Sequence, residues 1–177
     1  MPEIFNEKKI RFKFDPAPIP EFSWHSSPRL SKIVKSKHLV FEITSLDPDT
    51  FSCPYHFHHN AEEMFIILSG SATLRTHNEF KIVNEGDIIF FEMGLTGAHQ
   101  LYNHTNTPCR YLDLRTSVGL DLCEYPDSNK VNIIPYRKIY ETSNKVDYYK
   151  NEEKVREKWP QIIMNLNRNK NKKQKVK

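Results

Sequence analysis

No apolar run among the 177 residues approaches the roughly 20 needed to cross a bilayer as a helix. The N-terminal stretch, MPEIFNEKKIRFKF, carries scattered charges and lacks an apolar h-region, so no secretory signal is visible. Cysteine is scarce. Cys53, Cys109 and Cys123 are odd in number and widely spaced, which argues against a disulfide framework and fits a reducing cytoplasm. No internal repeat is present, and no helix-turn-helix pattern stands at either end, so the chain does not read as a repressor with an attached sensor.

A strong charge of one sign is also lacking once the tail is set apart. The net charge is +4, but the last eleven residues, NRNKNKKQKVK, hold six of the 26 basic residues and no acid. The rest keeps 20 basic against 22 acidic residues, a net of −2. A basic tail can touch nucleic acid or an anionic surface. This one has no aromatic residue to stack on bases, so a solvated, disordered end is expected over residues 167–177 and nucleic acid is not expected as a partner.

Against these absences stands one stretch, YHFHHNAEEMFIILSG, over residues 55–70. His56 and His58 are two apart, so on a β-strand both imidazoles point to one face while Phe57 and His59 point to the other. Glu63 follows after a span that fits a tight turn, and its spacing to His58 and Gly70 favours it over Glu62. Two imidazoles and a carboxylate form half of a site for a first-row divalent ion. The other half is expected from GDIIFFEMGLTGAHQLYN, residues 86–103, with His99 as the fourth ligand. His99, Leu101 and Asn103 share one inward face, and Glu63, Phe65 and Ile67 share another. His25, His38, His77 and His104 read as surface or hydrogen-bonded histidines.

The pattern H-x-H-x4-E-x6-G, followed by a second segment in which Gly86, His99 and Asn103 recur, resembles the two motifs of the cupin superfamily. The first motif fits at every position. In the second, Glu92 stands where the family pattern has proline, and four residues rather than two separate Gly94 from His99. EYPDSNKV (124–131) and VDYY (146–149) are similar to tail elements of small single-domain bacterial cupins without an assigned reaction. The resemblance spans residues 29–149 and implies an all-β fold with a single double-stranded β-helix, or jelly-roll, barrel. It also implies pairing into a homodimer.

Residues 1–29, with five prolines, are expected to form an extended arm rich in aromatic residues. Residues 30–135 carry the barrel: short, partly alternating strands separated by turns, without helical periodicity between them. Residues 136–166 form an extension with a short helix over 152–159, where acids precede bases, Asn151 is a candidate N-cap and Pro160 a stop. The turn 125–128 is expected to use Asp127 as a capping or Asx residue.

Three imidazoles and a carboxylate leave about two positions open on an octahedral ion, as a catalytic centre requires. Fe(II) or Mn(II) is favoured, with Zn(II), Ni(II) and Cu(II) also compatible. The leading expectation is a small metalloenzyme of oxygenase, isomerase or lyase type acting on a small soluble molecule. The alternatives are a non-catalytic cupin that binds a sugar-like ligand, and a structural one with an empty site. Cys53 reads as a buried small side chain or a thiol beside the metal, and Tyr55 as packing or a hydrogen-bond donor into the cavity.

Overall fold

The computed structural model describes residues 2–117 and 119–161. The basic tail expected over 167–177 lies outside the described residues. The chain divides into two compact units, 1–143 and 144–177. In the first, strands follow the alternation of the sequence: β1 (Lys13–Asp15), β2 (Trp24–Ser26), β3 (Leu39–Leu46), β4 (Phe57–His58), β5 (Glu63–Ser69), β6 (Ser71–Thr76), β7 (Phe80–Asn84), β8 (Ile88–Phe91) and β9 (His99–Tyr102). After them come β10 (Cys109–Thr116), β11 (Asp121–Tyr125), β12 (Lys130–Ile134) and β13 (Lys138–Glu141). One turn of α-helix, Leu30–Ile33, separates β2 from β3.

Two faces make an all-β jelly-roll barrel. One is the antiparallel sheet β1-β2-β3-β10-β5-β8. The other combines β13-β12-β11-β4 with β7-β6-β9, joined by an antiparallel bridge between His56 and His99. Between them lies a core of Leu46, Phe65, Ile67, Ala72, Leu74, Val83, Phe91, Leu101, Cys109 and Tyr111. Each fully buried Leu, Ile or Phe contributes about 1.5–3 kcal/mol relative to exposure. Alternation selects them: along β5 the buried positions are Glu63, Phe65 and Ile67, and along β9 they are His99 and Leu101. Phe57 departs from the simple parity reading. It leaves the barrel face as expected, but is buried against Tyr55 and Ala98.

The proline-rich arm includes two short extended strands. It lies on its own barrel, with β2 pairing to β3 (His25 opposite Ser45) and β1 pairing to β2. The barrel's last segment continues into a hairpin of β12 and β13. Gly70 turns β5 into β6 at φ +80°, and a Cβ there would meet the Pro108 carbonyl oxygen at 2.7 Å, so the motif glycine is required twice over.

In the second unit, the helix expected over 152–159 is shorter and tighter, a 3₁₀ turn at Val155–Lys158. Lys154 rather than Asn151 occupies its N-cap position, without a side-chain cap. A segment this short cannot offset the cost of helix nucleation. Among the described residues no helix is long and apolar enough to cross a membrane.

Candidate metal centre

The bridge that joins the barrel faces also assembles the site. His56 and His99 exchange backbone hydrogen bonds, His56 N–H to His99 O at 3.3 Å and His99 N–H to His56 O at 2.9 Å. Residues opposed in this way project to the same side, and the two rings lie 4.7 Å apart. His58 is carried to the same side two residues on, opposite Cys123 of β11. Glu63 enters from the first position of β5, on the facing sheet. The segment before His99, two residues longer than the family pattern, contains a three-residue 3₁₀ turn, Leu95–Gly97, entered by Gly94 at φ +88°. The insertion is absorbed there, and His99 keeps its place.

Each imidazole has one nitrogen tied. Nδ1 of His56 lies 3.0 Å from the Pro54 carbonyl oxygen, Nδ1 of His58 lies 2.6 Å from Asp121 Oδ2, and Nδ1 of His99 lies 2.9 Å from the Gly97 carbonyl oxygen. Carbonyl and carboxylate oxygens only accept, so each Nδ1 carries the proton and each Nε2 presents a lone pair. All three Nε2 atoms converge on Glu63 Oε2, at 3.8 Å from His56, 3.5 Å from His58 and 3.1 Å from His99. Glu63 Oε2 and His99 Nε2 have no hydrogen-bond partner among the described residues, although Glu63 is 6 % and His99 1 % exposed. Acceptors facing one another away from water are costly unless a cation lies between them. Neighbouring donors on an ion with bonds of about 2.1 Å lie about 3.0–3.4 Å apart, close to the observed spacings of 3.1, 3.5 and 3.8 Å. The side chains fit a divalent metal.

Charge follows the same geometry. Burial lowers the pKa of His56 and of His58, favouring their neutral forms. Burial alone would raise Glu63, but contact with His99 and the charges of all three histidines hold it below the usual carboxylate range. Asp113, half-buried beside Glu63, moves well above that range, because desolvation and the Glu63 charge both oppose its ionisation. Of this pair Glu63 takes the charge and Asp113 keeps the proton. Asp121 accepts from the Asn60 N–H as well as from His58, and Arg115 lies 3.6 Å away. Burial would raise Asp121, yet these partners hold it down.

A pH dependence follows. An imidazole whose folded pKa is below its ordinary 6.5 binds its proton more readily in the unfolded chain. Its contribution to stability is therefore complete above about pH 6.5 and is lost as pH falls toward the folded value. The depressed Asp121 works in the same direction at lower pH. Melting temperatures of chelator-treated protein are expected to fall steadily from pH 7 to pH 5. A flat profile would contradict the buried neutral imidazoles.

The site opens into a cavity of about 230 Å³ enclosed by the first unit. Its walls mix Trp24 and Tyr111 with Arg29, Asp113, Arg115 and Tyr125. Arg29 pairs with Glu42 at 2.7 Å. Cys53 also lines it, with Sγ 3.4 Å from His56 Nδ1, and burial pushes its thiol up to about 12. Tyr55 does not reach the cavity. Its ring packs with Phe57 and Ala98, under the Arg75 guanidinium at 3.9 Å. Asn103 is wholly buried and pins the following loop, donating to Leu46 O and Thr107 O and accepting from Thr105. His25 and His104 are hydrogen-bonded, to Asp47 and Thr73. Asp127, expected as a cap, instead grips Arg75 through both carboxylate oxygens.

Sequence reasoning did not identify Asp121, Cys123 and Tyr125, which alternate along β11 and face the site. The available signal was the spacing in D-L-C-E-Y, polar or reactive at every second position.

Comparison with known proteins agrees with this architecture. The family model described as a cupin domain matches residues 42–115. A solved structure of a candidate sugar phosphate isomerase from Acidithiobacillus ferrooxidans superposes with a TM-score of 0.71 at 19% identity, covering 81% of this chain and 95% of the other. A sugar phosphate isomerase of a cupin superfamily, from Silicibacter pomeroyi, gives 0.69 at 17% identity, covering 82% and 98%. A predicted oxalate decarboxylase from Thermotoga maritima gives 0.53 at 17% identity, covering 66% and 100%. No curated protein matches the sequence.

Proposed function

From a cupin domain over residues 42–115 as the premise, we propose that His56, His58, Glu63 and His99 bind one divalent transition metal in a small metalloenzyme. Fe(II) or Mn(II) is the favoured ion, because a donor set of imidazoles and a carboxylate suits both. The observation that carries this reading is the unpartnered pair of Glu63 Oε2 and His99 Nε2, 3.1 Å apart. When bound, the ion would supply Lewis-acid chemistry toward a carbonyl or enolate, or redox chemistry toward O₂.

The protein's own groups define the rest. Three Nδ1–H bonds fix the ring orientations, and Asp121 sets that of His58. Phe65 packs edge-on to His99 at 5.2 Å and closes the floor. Arg115, Tyr125 and protonated Asp113 give the cavity wall a guanidinium, a phenol and an acid, suited to a small hydroxylated, anionic molecule. Among oxygenase, isomerase and lyase types we favour an isomerase. The polar wall supports this, as do the names of two of the structural relatives.

The test is turnover by metal-loaded protein on sugar phosphates, small organic acids, thiols and phenols, followed by NMR in deuterated water and by O₂ consumption. Metal-dependent isomerisation that disappears in His58→Ala is expected. O₂ uptake would move the assignment to an oxygenase. A ligand that raises the melting temperature only with metal, and never turns over, would indicate a non-catalytic binding protein. Asp121→Ala, which frees the His58 ring, is expected to weaken metal binding about 10–100-fold without unfolding the barrel, as measured by competition with a chromophoric chelator.

The three free cysteines, two of them buried, suit a reducing cytoplasm. Pairing with a second copy is also part of the proposal. Phe80 and Ile82 on β7, and Ile88 and Phe90 on β8, are exposed on strands that end their sheets.

A further inference from the structure

Two overlapping sets of donors meet at His56. One is His56, Glu63 and His99; the other is His56, His58 and Cys123, and within each set the donor atoms lie within 4.8 Å of one another. Cys123 is directly opposite His58 in the β11–β4 ladder, so both side chains leave the ladder on the same side. The same strand supplies Asp121, which holds His58, and Tyr125, whose ring lies 5.9 Å from that of His56. Cys123 is 3 % exposed and lines the cavity. A buried cysteine alone is an ordinary small core residue. Here its cluster shares His56 with that of the unpartnered Glu63 Oε2 and His99 Nε2, which independently call for a cation beside His56.

We propose that Cys123 Sγ is a further donor of the centre, recruited by a thiophilic divalent ion. This rests on the metal reading above and adds to it a choice of metal. Around one ion, nitrogen and sulfur donors at about 2.1 and 2.3 Å lie about 3 Å apart when adjacent and about 4.4 Å apart when opposite, so donors within 4.8 Å of one another need close by only a few tenths of an ångström to share it. In the step, the S–H bond breaks, its proton leaves to solvent, and a sulfur lone pair forms the bond to the ion. No change of oxidation state is involved. A soft donor beside imidazoles shifts preference from Mn(II) toward Zn(II), Co(II) and Cd(II).

Cobalt reports the contact without reference to activity. Full-length protein reconstituted with Co(II) is expected to bind it and to show the intense near-ultraviolet sulfur-to-cobalt charge-transfer band. The band should persist in Cys53→Ala and vanish in both Cys123→Ser and Cys123→Ala, while cobalt stays bound and the weaker visible bands remain. Cd(II) affinity should fall about tenfold or more in Cys123→Ser with Mn(II) affinity nearly unchanged, as soft and hard ions require. Co(II) bound without the band, or a band that survives in both Cys123 variants, would overturn the assignment of Cys123 and leave the metal centre standing. Failure of the native protein to bind Co(II), Zn(II) or Mn(II) would overturn both.

Discussion

Glu63→Gln is expected to raise the melting temperature of the metal-free protein at pH 8 while removing tight metal binding. In the native chain the Glu63 carboxylate faces three Nε2 lone pairs, and its Oε2 has no donor. A glutamine amide N–H would donate to His99 Nε2 and satisfy two orphaned groups at once. Leaving one such group unsatisfied costs about 1–3 kcal/mol, so the gain should appear as about 2–12 °C for a chain of this size. The depressed pKa of Glu63 reflects favourable contact with protonated imidazoles. At pH 8 the buried His56 and His58 are neutral, and that contact is absent. Metal affinity, deprived of an anionic ligand, should drop by more than the roughly 100-fold that loss of a ligand's supporting partner costs. Thermal melts with and without chelator check both halves. A variant less stable at pH 8 would mean that Glu63 is a structural hydrogen-bond acceptor.

Gly97→Ala should be the most damaging single methyl addition near the site. A Cβ at residue 97 would fall 1.9 Å from the Glu92 carbonyl oxygen and 2.9 Å from its carbon, both backbone atoms that no rotamer change can move. The 3₁₀ turn Leu95–Gly97 would have to lift, taking with it the Gly97 carbonyl that receives the His99 Nδ1–H. Overpacking of this kind costs about 1–3 kcal/mol. Metal affinity is expected to fall about 10–100-fold through the loosened ring. Thr96→Ala, at an exposed position on the same turn, should change neither. Equal behaviour of the two variants in melts and metal titrations would contradict this account of the loop.

What could be read in advance was whatever depends on alternation within one segment. His56 with His58, and His99 with Leu101 and Asn103, are short-range parity statements, and the backbone honours them. Glu63 followed from turn length. Contacts set by pairing across the chain were not legible: the His58–Asp121 bond spans 63 residues and needs the register of β11 on β4. The same holds for Trp24 and Arg29, which join the cavity wall through the arm's pairing with β3. The extra residues before His99 were visible as a departure from the family pattern, but their 3₁₀ shape depends on the space against Glu92. Over 152–159 the charge order suited a helix, yet the segment ends as one 3₁₀ turn with Lys158 paired to Glu152 at 2.7 Å.

The most direct measurement is the metal content of the full-length protein, purified without chelator and again after reconstitution, beside a His56→Ala/His99→Ala double variant. The account predicts close to one divalent ion per chain in the native protein and almost none in the variant, with both folded by circular dichroism. A native protein that retains no ion under either condition, or a double variant that retains as much, would contradict it.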